Sequence, residues 1–349
     1  MSSDSHERAH RSHESAPPLS VVVFGMSGVF TARPLAALLE AGIAVRAFVL
    51  PALAADGSAH SALPPIRALP AQTTPGRPLP LLDPASSSPR QMAAARGVPV
   101  FEAADLAAPD TLAMLAALAP SGLDAICVAC FPRRLPPALL RLPRLGALNV
   151  HPSLLPANRG PDPLFWTFYH GDEQTGVTVH LMDETLDTGP ILAQESIPVP
   201  EGISEARLER TCAEVGGRLL VASLRALADG SARPQPQDES RATHFGFSLP
   251  ERDYALSPSW PASRAYRFVQ GIAGRGVPIT VEADGRLFQV LGALGYDAHE
   301  RMAEPLRLEG DVLALRCAPG VLYARVVERG GGGDGEAGAV EGAGGGAGS

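Results

Sequence analysis

Residues 19–50 read LSVVVFGMSGVFTARPLAALLEAGIAVRAFVL, and the order of textures in this stretch decides the fold. LSVVVFG is a short β-branched and aromatic run that predicts a strand. MSGVF follows as a tight turn, and the apolar spacing through Leu38 and Leu39 to Glu40 predicts a helix. AVRAFVL at 44–50 is the next strand. A strand, a helix and a second strand in this order build a mostly parallel sheet that buries both faces.

Upstream, residues 1–18 are a polar leader holding His6, His10 and His13, and they are set apart from the core as disordered. Downstream, periodicity vanishes across 51–90, where nine prolines among Ser, Ala and Gly predict an extended surface insertion, either disordered or a lid. The alternation resumes with MAAARGVPVF, the helical ADLAAPDTLAMLAALAP and the apolar strand DAICVACF at 124–131. LPPALLRL predicts a short helix broken at Pro143, and LGALNV brings the chain to Asn149 at the carboxyl end of another strand. Open α/β sheets place their ligands at that edge. A helix over 163–169, a strand over 175–182, an extended segment over 191–199 and a helix over 204–228 complete the first domain. In the last of these, Leu208, Cys212, Val215 and Leu219 form an apolar stripe that makes Cys212 a core residue.

The expected organisation is therefore a catalytic α/β domain over 19–228, a polar linker over 229–249, a small β-rich domain over 250–329, and a disordered tail over 330–349 whose eleven glycines leave too few side chains for a core. Within the small domain, the second half of SPSWPASRAYRFVQGI (257–272) is helical and short strands follow Val277.

Composition removes several chemistries. All 29 basic residues are arginine, so neither a Schiff-base lysine nor a Walker lysine is available. The formal charge of −8 opposes indiscriminate nucleic-acid binding, DNA included. The turn Gly25-Met26-Ser27-Gly28 departs from the G-x-G-x-x-G fingerprint of dinucleotide sites. Four cysteines, a polar N-terminus and no run of eighteen apolar residues point to a reducing, cytoplasmic setting with neither secretion nor membrane insertion. Cys127 and Cys130 form C-x-x-C in name only: both are expected in the core, and no metal is expected.

The chemistry concentrates in N-V-H-P-S-L-L-P-A-N-R-G-P-D-P, which begins at Asn149. Asn149 and His151 are two positions apart on an extended backbone and so share a face. An amide aimed at a carbonyl oxygen stabilises a developing oxyanion, and an imidazole beside it aligns the nucleophile or moves its proton. A carboxylate to orient that imidazole comes from LMDETLDTGPIL, which offers Asp183, Glu184 and Asp187. Asp187 is chosen because it precedes the demanding turn Thr188-Gly189-Pro190, whereas Asp183 can simply cap a turn.

Taken together, Asn149, His151, Ser153-Leu154-Leu155-Pro156, Arg159-Gly160, Thr175-Gly176-Val177-Thr178 and Leu186-Asp187-Thr188-Gly189 resemble the signature of formyltransferases that use 10-formyltetrahydrofolate. The likeness covers roughly residues 20–228 and continues more weakly beyond. It implies a Rossmann-like formyltransferase domain with a small C-terminal OB-like β-rich domain. The implied activity is transfer of a formyl group from N10 of the folate donor to an amine through a tetrahedral adduct. By the same resemblance, Asn149 stabilises the oxyanion, His151 positions reactants and assists proton transfer, and Asp187 orients His151. Ser153, Leu154, Leu155 and Pro156 form part of the folate wall, and Arg134, Leu135 and Pro136, with Arg133, face the pterin. The two arginines stand where apolar residues are common, and Pro132 replaces a family glycine, so pocket shape or donor affinity differs. Arg159 either favours an anionic group or holds the following loop.

The family's default acceptor is methionyl-tRNA. Its members usually carry basic RNA-binding modules, whereas residues 251–329 hold ten arginines against ten acids. A sugar-nucleotide amine or another small amine is the alternative acceptor, with water, which would make the chain a 10-formyltetrahydrofolate hydrolase, ranked below both.

Overall fold

The computed structural model describes residues 17–52, 64–70, 88–246 and 251–329. The leader up to residue 16, most of the 51–90 insertion and the Gly-rich tail lie outside the described residues. The described chain divides into two compact units, one of residues 17–167, 172–200 and 205–246, the other of 168–171, 201–204 and 251–329.

The first unit begins as the opening stretch predicts: β1 (Ser20–Gly25), α1 (Val29–Glu40) and β2 (Ala44–Pro51). β3 (Ile66–Ala68), α2 (Pro89–Ala95), β4 (Val100–Ala103), α3 (Pro109–Ala117), β5 (Ala125–Ala129), α4 (Pro137–Leu140) and β6 (Ala147–His151) follow. α5 (Pro163–His170), β7 (Gln174–Leu181), β8 (Ile191–Pro198) and α6 (Glu205–Ala228) complete the series. Eight strands lie in the order β3-β4-β2-β1-β5-β6-β7-β8. β4, β2, β1, β5 and β6 pair in parallel, while β3 on β4, β7 on β6 and β8 on β7 are antiparallel. In the antiparallel β6/β7 pair Leu148 lies opposite Leu181 and His151 opposite Thr178, so β6 runs beside the last residues of β7, and two sequence-distant motifs meet there.

Both faces are covered. On one, Val22, Phe24, Val49, Ile126 and Val128 pack with Leu115 of α3 and Leu139 of α4. Burying each such side chain is worth about 1.5–3 kcal/mol. On the other, α6 approaches α1 and β6 through adjacent glycines. A Cβ at Gly216 would lie 2.5 Å from Val150 Cγ1, and one at Gly217 would lie 3.0 Å from the Cβ of Ala37. Leu208 and Cys212 of the expected stripe are fully buried.

Two expectations need correction. Cys127 is buried in β5, but Cys130 is exposed, because the strand ends at Ala129 and the chain turns through φ 57° at Cys130. The stretch expected to link the domains, 229–249, instead bonds into the first unit as far as Phe245. Gln235 and Ile191 exchange two 2.8 Å backbone hydrogen bonds, and Phe245 N–H donates to Arg159 C=O at 3.0 Å. Of its polar side chains, which read as a solvated linker, Gln237 and Glu239 bond to buried Arg159, and Thr243 bonds to buried Asn158.

The second unit contains β9 (Ala255–Leu256), α7 (Ala262–Ile272), β10 (Ile279–Ala283), β11 (Arg286–Asp297), β12 (Leu306–Glu309), β13 (Val312–Arg316) and β14 (Val321–Arg329). Their sheet runs β12-β13-β14-β11-β10-β9, antiparallel except for β9 on β10, and among the described residues it does not close into a barrel. α7 buries Ala265, Phe268, Val269 and Ile272. Among the described residues no helix is long and apolar enough to cross a membrane.

Candidate active site

Three residues singled out from the sequence come together at the carboxyl edge of the first sheet. Asn149 sits mid-β6 and His151 ends it, on one face as the alternation requires. Asp187 arrives from the β7–β8 loop in a left-handed conformation, φ 57°. Asn149 Nδ2 donates to Asp187 Oδ1 at 3.2 Å, and His151 Nδ1 lies 3.8 Å from Asp187 Oδ2. The rival carboxylates are used elsewhere. Asp183 Oδ1 accepts from Thr185 N–H at 2.9 Å and from the hydroxyls of Thr185 and Thr188, closing a turn. Glu184 lies 3.6 Å from exposed Arg141.

A fourth residue, His180, was not anticipated. It stands opposite Asn149 in the β6/β7 register and is 1% exposed. Its Nε2 is 3.3 Å from Asn149 Nδ2 and 3.6 Å from Asp187 Oδ1. The signal was present: His180 alternates with Thr178 and Gly176 along T-G-V-T-V-H, on the sheet face that also carries Asn149 and His151.

Hydrogen-bond partners fix the imidazole protons. His151 Nε2 is 2.8 Å from the carbonyl of Asn158, and a carbonyl only accepts, so Nε2 carries hydrogen and donates. Nδ1 is left as the basic nitrogen, directed at Asp187. By the same logic His180 Nδ1–H donates to Leu181 C=O at 2.8 Å, and its Nε2 accepts from Asn149. Asn149 thus directs its two amide hydrogens at His180 and Asp187, over distances long enough for a stronger acceptor to take one of them.

Burial pushes His151 below its ordinary value of 6.5, outweighing the opposite pull of Asp187 and of the Asn158 carbonyl. Burial also acts to raise Asp187, but His151, His180 and the N–H of Gly160 more than offset it, and the carboxyl is held well below the usual range. At neutral pH the arrangement is a neutral imidazole base facing a carboxylate, the pairing that stabilises an imidazolium once a proton has been taken up.

Beyond the carboxyl ends of β4 and β5 lies a cavity of about 390 Å³ lined by Asp105, Leu106, Arg133, Arg134, Leu135 and Pro136, among others. Arg133 Nη1 donates to Ala103 C=O at 2.9 Å from its wall. The 153–156 turn is folded inward instead. Ser153 Oγ donates to Ala157 C=O at 2.6 Å, and Thr178 Oγ1 donates to Ser153 C=O at 2.7 Å. Leu155 N–H donates to Thr178 Oγ1 at 3.1 Å, and Leu155 and Pro156 are buried. Leu154 packs over Gly176, where a Cβ would meet its Cδ2 at 2.3 Å. Arg159, open between ligand steering and loop support, is 1% exposed and bonded to Gln237 and Glu239. Near the first turn, Met26 N–H is spent on Thr31 Oγ1 at 3.1 Å. Among the described residues no group of three or more His, Cys, Asp or Glu side chains is arranged to hold a metal ion.

The family described as Formyl transferase matches residues 81–224. A methionyl-tRNA formyltransferase from Synechococcus sp. (strain JA-3-3Ab) is 36% identical over 217 residues, 62% of this chain and 65% of that protein. Another, from Anaeromyxobacter sp. (strain K), is 39% identical over 221 residues, 61% of this chain and 69% of that protein. These and similar matches span from 47% to 69% of the curated relatives' own lengths. In fold, the chain is similar to the N-formyltransferase from Helicobacter canadensis in complex with folinic acid and dTDP-3-aminofucose, with a TM-score of 0.56 at 10% identity over 88% of this chain and 98% of that one.

Proposed function

Because the chain belongs to the formyltransferase family, we propose that it transfers a formyl group from 10-formyltetrahydrofolate to an acceptor amine, with methionyl-tRNA as the acceptor. One observation carries the reading: Asn149, His151 and Asp187 converge at the sheet edge whose strands also end at the cavity holding Arg134, Leu135 and Pro136. At about 390 Å³ the cavity is within the range of small-molecule sites, roughly 300–1,000 Å³, and its mix of Leu106, Leu135 and Pro136 with Arg133, Arg134 and Asp105 suits a flat heterocycle carrying polar edges.

The donor, when bound, supplies an activated formyl carbon. Everything else falls to the chain. Asn149 turns an amide hydrogen from its present acceptors to the formyl oxygen as negative charge develops there. His151 Nδ1 accepts the proton that the amine loses as the new N–C bond forms, and returns it to the departing donor nitrogen as the old bond breaks. Asp187 keeps the imidazole in place and offsets its transient charge. Ser153, Leu154, Leu155 and Pro156 support the donor wall from behind, since their own polar groups bond inward.

The second unit is read as an OB-like module. Support comes from β11, whose pairing with β14 slips twice, between Val290 and Gly292 and between Ala293 and Gly295, the kind of bulge that curves a sheet. Four free cysteines fit a reducing, cytoplasmic setting. One observation favours a small-amine acceptor as second reading: the ten arginines and ten acids of 251–329 give that stretch no net basic charge.

The test incubates the full chain with 10-formyltetrahydrofolate and an acceptor panel, with mass spectrometry reading the added formyl unit and Asn149→Ala as control. Formylated methionyl-tRNA is expected. Formylation of a sugar-nucleotide amine alone moves the acceptor to the second reading, and release of formate without any amine makes the chain a hydrolase.

A further inference from the structure

We infer that residues 235–245 form a strap that positions Asp187 and His151, with Gln237 as the positioning residue that ties it to the site. The inference rests on the formyl-transfer reading.

Arg159 supplies the first observation. It has the largest side chain among the fully buried described residues, and its guanidinium hydrogen-bonds to Gln237, Glu239 and His244 of the strap. Nε and Nη2 donate to Gln237 Oε1 at 3.0 and 2.7 Å, and Nη1 and Nη2 donate to the two oxygens of Glu239 at 2.9 and 2.6 Å. The remaining Nη1 hydrogen faces His244 Nε2 at 3.4 Å. All five guanidinium hydrogens are committed, so this arginine has none left for a substrate anion.

Gln237 supplies the second. Its oxygen accepts twice from Arg159, and its Nε2 donates to Asp187 C=O and Gly189 C=O, both at 2.8 Å. Two lone pairs and two hydrogens are thus all used. Glutamate has the acceptors without the donors, and asparagine is one methylene shorter. The amide therefore pins the backbone of a catalytic carboxylate that sits in a left-handed conformation.

The strap also grips the turn beneath His151. Thr243 C=O accepts from Arg159 N–H at 2.9 Å, and Thr243 Oγ1 accepts from Asn158 N–H at 2.7 Å. Asn158 is the residue whose carbonyl holds His151 Nε2, and Gly160 N–H donates to Asp187 Oδ2 at 2.9 Å. Gly160 has φ 101°, and a Cβ there would lie 2.4 Å from Phe245 C=O, so the turn and the strap are in backbone contact. Both sides of the His151/Asp187 pair thereby depend on one segment that touches neither group's reacting atoms.

The test compares Gln237→Ala, Gln237→Glu and Glu239→Gln in the full chain. Kinetics with 10-formyltetrahydrofolate and methionyl-tRNA are paired with ¹⁵N NMR of the histidine rings. Gln237→Ala is expected to lower kcat roughly a hundredfold, the scale of a slight misplacement of reacting groups, while the donor KM stays within about twofold, because the strap does not line the donor cavity. Gln237→Glu keeps the volume and loses the donors, so it fails alike. Glu239→Gln, at an exposed position that does not threaten folding, lowers kcat about tenfold. In all three, the His151 signature of a single Nε2–H tautomer gives way to a mixture. Folded variants with kcat within threefold of the parent and unchanged His151 signals overturn the strap. If the parent chain formylates nothing, the functional reading falls, and the imidazole signals still decide the strap.

Discussion

Asn149 has two amide hydrogens, and both are committed in the resting site, to His180 at 3.3 Å and Asp187 at 3.2 Å. Catalysis must redirect one of them. Asn149→Ala is therefore expected to lose about 10²–10³ in kcat with donor binding kept, the usual cost of one oxyanion donor; single-turnover formyl transfer and a donor-binding titration measure the two parts, and unchanged transfer would remove Asn149 from the reaction. His151 gives a pH prediction. Its pKa lies below 6.5, because burial outweighs the pull of Asp187. The groups facing it are Asp187 from the β7–β8 loop and His180 from β7. The acid limb of kcat/KM should then fall below pH 6.5, and Asp187→Asn, which removes the one charge that raises His151, should move it lower still. A limb at or above 6.5 in the parent, or one that rises in the variant, contradicts this assignment. At this scale the sequence was informative where residue type and spacing coincide, as at Asn149 and His151. At His180 the alternation with Thr178 and Gly176 marked only a shared face, because its part depends on a register between two strands that is visible only once they pair.

Elements carry a different kind of information. β1, α1 and β2 were legible because hydrophobic periodicity is local, and so was the apolar stripe of α6 at Leu208 and Cys212. Segment 229–249 was misread because composition reports solubility and not partners: its Gln, Glu and Thr look solvated until a buried arginine is placed beneath them. Cys130 was misplaced by a single residue at a strand end, where boundaries are least defined by pattern. The close helix–sheet approach at Gly216 was likewise hidden, and it yields a prediction. Alanine gains about 1 kcal/mol of helix propensity over glycine. Its methyl would stand 2.5 Å from Val150 Cγ1, between the two β6 site residues, and overpacking typically costs about 1–3 kcal/mol. Gly216→Ala should therefore destabilise the chain by up to about 2 kcal/mol in urea unfolding and lower kcat more than the donor KM rises. A stabilised variant with full activity would mean that α6 yields without moving β6.

At the scale of the whole molecule, charge decides what the chain can approach. Arg286, Arg307 and Arg325 of the second unit lie 2.7, 3.4 and 3.9 Å from Glu328, Glu309 and Asp311, so part of its positive charge is answered locally. Acid should weaken the fold in two stages. His151 has a folded pKa below 6.5, so its contribution is complete above 6.5 and is lost as pH falls through the folded value. Asp187 is depressed below 3.8, so its contribution persists to that pH and is lost only below it. Urea midpoints measured from pH 7.5 to 3 should decline first below 6.5 and again below 3.8, and a midpoint that rises on acidification contradicts both signs. The acceptor responds to salt instead. Each phosphate contact displaces about one counterion, so KM for an RNA acceptor climbs with salt in proportion to the contacts made. With −8 overall and a second unit of balanced charge, few contacts are available, about three rather than ten. Raising salt from 50 to 200 mM should then increase the KM for methionyl-tRNA roughly tenfold or somewhat more, while the KM for the folate donor, held in a cavity, changes far less. A flat response with methionyl-tRNA would mean that the RNA is not gripped, and would transfer the acceptor assignment to a small amine.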